Sequence, residues 1–220
     1  MNTDLPVPCS HCGKVNYSKA SGTGGFSTVT CECGHTTAVV GEFANFVTDR
    51  LYIKSGSEFA GGDYTLTILL AAMACECEMS FQFTKWRGLD SKNWFVPAEI
   101  EAYEREYARL FSLEKKVNAV AQLLVSEQFD DFVISHPLLN GINQSGSSSP
   151  ALQYFKEKIF NVRNAIIHSG KIDSRKEEAE EALIAARQFV GVLRQMDKLR
   201  QVQLEARHKS ERELVLNQTV

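Results

Sequence analysis

The sequence has no excess of positive charge. Its 24 lysines and arginines stand against 27 aspartates and glutamates, a formal net charge of −3, which argues against the broad basic surface by which nucleic-acid-coating proteins neutralise many phosphates. A small local phosphate site stays compatible with that charge. Long apolar runs are also missing: the longest, residues 66–74 with Thr67 inside it, is far short of the roughly 20 residues that span a bilayer. Beginning Met1-Asn2-Thr3-Asp4, the chain shows neither the basic nor the apolar segment of a secretory signal. A cytoplasmic protein with no membrane partner is the expectation, and its thiols stay reduced. At 44% hydrophobic and 23% charged residues, it is neither collagen-like nor wholly disordered. A length of 220 residues permits one large domain or a small module with a medium one.

What is present begins with cysteine. Four of the six lie in the first 33 residues, as Cys9-Ser10-His11-Cys12-Gly13 and Cys31-Glu32-Cys33-Gly34-His35. Each pair is followed by glycine, which permits the tight turn that lets two thiolates converge on one metal. The arrangement resembles a zinc ribbon, in which two cysteine knuckles at the tips of short hairpins close a tetrahedral site. That resemblance implies one structural Zn2+ per chain held by Cys9, Cys12, Cys31 and Cys33, with no open position for catalysis. Only Glu32 separates the second pair, so His35 or His11 stands as an alternative ligand. The stretch 16–30 is rich in Gly, Ser and Thr and has little with which to build a core, and a metal would supply the missing stability. A disulfide-stapled or unstructured tail is the alternative. Cys75 and Cys77 fall in a helical pattern on nearly opposite sides and read as packing residues.

Strand-like pieces at 37–40 and 50–54 are followed by Gly-Ser and Gly-Gly breaks, the first finishing the ribbon and the second belonging to a connector. Beyond them the sequence reads as helix. Helix one is expected over 63–83, with Leu66, Leu69, Leu70, Met73, Cys77 and Phe81 at helical spacing, and its apolar content makes it the central helix of a bundle. A second helix starts at Pro97, a residue suited to the first helical position, and carries Ile100, Tyr103, Tyr107 and Leu110. A third covers 113–132, and a polar loop covers 140–149. The fourth opens at Ser149-Pro150 with one narrow stripe, Leu152, Phe155, Ile159, Val162 and Ile166, and ends at Ser169-Gly170. The fifth opens on the capping-box pattern Ser174-Arg175-Lys176-Glu177 and runs to about 207. The expected organisation is therefore mainly α: a ribbon module at 1–42, a connector at 43–62, an up-and-down helical bundle at 63–207 and a frayed tail at 208–220.

On the fourth helix, Arg163, Asn164 and His168 need placing. With Ile166 as the centre of the buried stripe, they lie at about 60°, 160° and 200°, so Asn164 and His168 are neighbours opposite the core. Phe160 and Ile167 flank that polar face, and a half-apolar flank suggests that a second surface packs there, a second copy of the chain being the economical choice. A histidine near a helix C-terminus is also a favourable dipole partner, and an arginine one turn earlier an ordinary ion-pair donor.

Arg163-Asn164, three further residues and His168, with Gly170 two beyond, resemble the R-x4-6-H signature of the HEPN superfamily. The resemblance covers roughly residues 61–207 and includes Glu76 in helix one after the small-residue run Ala71-Ala72-Met73-Ala74-Cys75. Many HEPN proteins are metal-independent endoribonucleases of toxin–antitoxin or antiviral systems, acting as dimers with paired motifs in one cleft. The resemblance thus implies RNA as substrate, a homodimer, an antitoxin or other protein partner, and no catalytic cofactor. His168 would move protons, Arg163 hold the scissile phosphate, Asn164 orient the pair and Glu76 support Arg163, with Glu78 as the competing carboxylate. The chemistry is self-consistent. RNA carries its own nucleophile in the 2′-hydroxyl, so proton transfer and charge stabilisation suffice. An imidazole titrates near neutral pH and a guanidinium offers planar paired donors to phosphate. A non-catalytic HEPN module binding a nucleotide, RNA or protein is the alternative function.

Overall fold

The computed structural model of the chain describes residues 5–8, 15–18, 26–34, 36–40, 42–91, 97–136, 150–170 and 173–218, with side chains described for 30–34, 47–91, 98–136, 150–170 and 173–207. Two antiparallel hairpins come first. Strand β1 (Leu5–Pro8) pairs with β2 (Val15–Ser18), and β3 (Phe26–Thr30) with β4 (Thr36–Val40). In sequence, Cys9 and Cys12 fall between β1 and β2, and Cys31 and Cys33 between β3 and β4.

The rest is mainly helical and consistent with a helical bundle. The elements are α1 (Glu42–Gly61), α2 (Tyr64–Ser91), α3 (Pro97–Ala108), α4 (Leu113–Val125), α5 (Phe129–Ser135), α6 (Ala151–Phe155), a π-helical turn (Lys156–Phe160), α7 (Asn161–Ser169) and α8 (Lys176–Gln218). Helix α2 is central, touching α1, α3, α4, α7 and α8. Among the described residues it is the one helix long and apolar enough, by length and composition, to cross a membrane, and 56% of its most apolar window is buried within the protein.

Several elements differ from the sequence expectation. The strand read at 50–54 is part of α1, because a short run of β-formers yields to its surroundings. Ser55 donates to the carbonyl of Thr67 at 2.7 Å and Tyr52 to that of Leu183 at 3.5 Å, tying α1 to α2 and α8. The supposed connector is thus a packed helix. The Gly-Gly break is real: Gly62 adopts φ +85°, its N–H donates to Phe59 and that of Asp63 to Glu58, a left-handed closure that favours glycine. Asp63 then accepts from Leu66 N at 2.9 Å and caps α2.

Along α2 the expected inward set is out of register. Met73 is 47% exposed, while Ile68, Ala71, Ala72, Cys75, Met79 and Trp86 are buried. The expected third helix is two, α4 and α5, divided where Ser126 turns left-handed at φ 62°. On the fourth, Pro150 occupies the cap position, Ser149 lies outside the described residues, and Asp130 accepts from Leu152 N at 2.8 Å to satisfy the helix start. The capping box at the start of α8 is displaced by one residue. Glu178 reaches back to Arg175 N at 3.1 Å, while the Ser174 hydroxyl has no partner among the described residues. The last helix continues to Gln218, past the end expected near 207.

The core forms where α4, α5, α6 and α8 meet α2. Phe129, Phe155 and Phe189 stack edge-on or tilted with ring centroids 5.2 to 6.1 Å apart. Asp197 of α8 is buried and accepts from Trp86 Nε1 at 2.6 Å, Lys85 Nζ at 2.7 Å and Gln201 Nε2 at 2.8 Å, joining α2 to α8.

Candidate functional site

The fourth-helix motif sits where α7 crosses α2. The π turn before it decides which side chains face inward. A widened turn lets consecutive residues share the buried side, and here both Ile159 and Phe160 are buried, Phe160 against the Phe189 ring at 5.8 Å. Phe160 therefore belongs to the core and not to the flank of the polar face. The expected stripe otherwise holds, with Leu152, Phe155, Ile159 and Ile166 buried and Val162 packed against the smaller cluster of Ile68, Ile166, Ala179 and Ala182.

Beyond the π turn, Arg163 points across to α2. Its Nη2 pairs with Glu76 Oε1, and its Nη1 donates to Asn164 Oδ1 at 2.9 Å. The Arg163 side chain keeps only 21% of its exposure. Two of its donors are thereby occupied and its plane is fixed, which leaves the remaining N–H groups for a ligand. The choice between carboxylates is resolved by packing. Glu76 serves Arg163, whereas Glu78 is fully buried between Gln82 Nε2 at 2.9 Å and Arg194 at 3.4 Å.

Asn164 and His168 are both exposed and one helical turn apart. The structure brings Glu76, Arg163 and Asn164 together. It does not bring His168 into contact with them, and the imidazole has no partner among the described residues. Gly170 ends α7 at φ 63°. Beside this polar group, Met73 and Ile167 are 47% and 54% exposed, leaving a mixed apolar and charged face.

Burial pushes the thiols of Cys75 and Cys77 up, and the Glu78 carboxylate adds to the effect. Cys75 is wholly buried, with its sulfur 3.9 Å from the carbonyl of Ala186, and Cys77 is half-buried. Neither environment favours the thiolate, which agrees with packing roles.

For the ribbon, Cys9, Cys12, His11 and His35 lie outside the described residues. In the second knuckle, Gly34 N donates to Cys31 O at 2.8 Å with Gly34 at φ +81°, a reversal suited to glycine. Cys31 is 3% exposed and Cys33 exposed. Among the described residues, no group of three potential metal-ligating side chains occurs.

Sequence reasoning missed the network of Asp49, Glu78, Gln82 and Arg194. Arg194 donates to Asp49 at 2.8 Å as well as to Glu78. Burial works against its charge, and the two carboxylates outweigh that to raise its proton affinity. The spacing of Arg187, Gly191 and Arg194 on one face of α8 was the available signal, hidden because α1 was read as a connector. Against protein-family models, curated proteins and solved structures, the chain gives no match.

Proposed function

We propose that the chain is a metal-independent endoribonuclease of the HEPN type. It cleaves RNA through the 2′-hydroxyl in a cleft shared by two copies, in a toxin–antitoxin or antiviral role. The observation that carries this reading is the Glu76–Arg163–Asn164 constellation, with the exposed His168 one helical turn beyond Asn164. Arg163, fixed by two partners, binds the scissile phosphate and offsets the charge that develops on it. His168 of one copy takes the proton of the 2′-hydroxyl, and His168 of the second copy gives one to the leaving 5′-oxygen. The product ends in a 2′,3′-cyclic phosphate. The exposed Met73 and Ile167 supply the apolar border on which two copies meet.

The bare His168 favours a second reading, in which the motif binds phosphate without cleaving it, because nothing sets the tautomer of the imidazole in one copy. One assay separates the two. Purified protein is incubated with mixed RNA and EDTA and the 3′ ends are analysed: cyclic phosphate ends that disappear in His168→Ala support cleavage. Binding without new ends supports the non-catalytic module.

The ribbon carries one structural Zn2+ in this reading. The support is that both Cys pairs fall in sequence between the strands of a hairpin, the second with a left-handed glycine. Four thiolates suit Zn2+, and a closed set makes it structural. Native mass spectrometry is expected to find one zinc per chain, and none would remove the ribbon from the account.

A further inference from the structure

A groove of about 290 Å3 lies between α1 and α8, away from the Arg163 face, lined by Thr48, Asp49, Tyr52, Arg187, Gly191 and Arg194 among others. Its floor is Gly191. Arg187, Gly191 and Arg194 stand at i, i+4 and i+7 on α8, so two guanidiniums bracket a residue without a side chain on one helical face. A glycine inside a long helix costs about 1 kcal/mol relative to alanine, and nothing nearby demands it. A Cβ built at Gly191 would meet no atom within 4 Å and would project into open space. What the glycine provides is the room above it.

The polar groups around that room are unevenly satisfied. Arg194 is engaged by Asp49 and Glu78. Arg187 is exposed with no ion pair among the described residues. Thr48 is 1% exposed and its hydroxyl has no hydrogen-bond partner among the described residues, a cost that a structure normally avoids or assigns to a ligand. The groove thus offers a free planar cation at one wall and, at the other, the half-exposed Asp49 carboxylate beside the Tyr52 ring. A simple polyanion would be repelled by Asp49. A ligand with one anionic end and hydroxyls to donate at the other satisfies both walls, and the volume is close to the lower end of the roughly 300–1,000 Å3 of small-molecule sites.

We propose that this groove is a second ligand site, taking a nucleoside monophosphate or a phosphate monoester of that size. The phosphate lies on Arg187 over Gly191, and sugar hydroxyls donate to Asp49. The proposal does not depend on any activity at Arg163.

Isothermal titration calorimetry of the full chain with adenosine and uridine 5′-monophosphates tests it, with inorganic phosphate as competitor. The expected result is a single molecule bound per chain, with inorganic phosphate, which lacks the hydroxyl end that faces Asp49, displacing it only weakly. Binding is expected to weaken at least about tenfold in Arg187→Ala, to vanish in Gly191→Leu and to persist in Arg163→Ala. Gly191→Ala guards against a folding artefact: helix propensity predicts that it melts no lower than the unsubstituted chain, yet it binds more weakly. Two results would overturn the proposal. One is no binding of either nucleotide; the other is binding that is lost in Arg163→Ala and retained in Arg187→Ala and both Gly191 variants.

Discussion

At the scale of single residues, carboxylates decide what the arginines and lysines can do. Glu76 and Glu78 are two apart on α2 and so point to different neighbours, one to Arg163 and the other to Arg194. The first pair is partly open to solvent and holds a guanidinium where a ligand can reach it. The second is anchored on a fully buried carboxylate and serves packing. Asp197 is the most exacting of these groups, since three donors converge on it. Asp197→Ala strands a buried indole N–H and an ammonium group, so a loss of about 2–4 kcal/mol is expected in urea unfolding. A loss below about 0.5 kcal/mol, the range of ordinary surface substitutions, would show that water takes over those bonds. Of the site itself, Arg163, Asn164, His168 and Glu76 were readable as candidates from type and spacing. Which glutamate met Arg163 was not, because both lie within one turn and only the packing of α7 and α8 on α2 separates them.

At the scale of elements, legibility followed the number of apolar faces. The stripe from Leu152 to Ile166 is narrow, so its inward side could be read directly. Helix α2 is apolar around most of its circumference, so periodicity marked it as central but gave the wrong register and placed the exposed Met73 inside. The π turn at Lys156–Phe160 has no sequence signature of comparable strength, and it moved Phe160 into the core. Helix α1 was lost to the strand-like piece at 50–54, where Tyr52 and Ile53 are the strong strand formers. The break between α4 and α5 rests on Ser126, the one non-glycine residue at positive φ among the described residues. Left-handed geometry costs a side-chain-bearing residue about 1–2 kcal/mol. Ser126→Gly is therefore expected to stabilise the protein by about 1 kcal/mol in denaturant unfolding, and a destabilised variant would mean that the serine side chain earns its place through a contact.

At the scale of the whole molecule, the modest net charge of −3 fits the proposal that RNA would be engaged through a few residues rather than a coat of lysines. Those residues lie on a face with exposed Met73 and Ile167, and pairing two such faces would bring two Arg163–His168 sets into one cleft. Multi-angle light scattering at micromolar concentration is expected to give twice the chain mass, falling toward the monomer in Ile167→Glu. A monomer in the unsubstituted protein would leave His168 without the second imidazole that the proposed mechanism requires. The groove between α1 and α8 lies on another part of the surface, so its occupancy and the dimer are separable properties.

The central claim is that His168 moves protons in an RNA cleavage that needs no metal. The most direct test compares unsubstituted protein and His168→Ala on the same RNA in EDTA, with 3′-end analysis and circular dichroism to verify the fold. The account predicts 2′,3′-cyclic phosphate ends from the first and a rate lower by about 10²–10⁴ in the second. Cleavage that survives the substitution, or that stops with chelator while the helices persist, would contradict it.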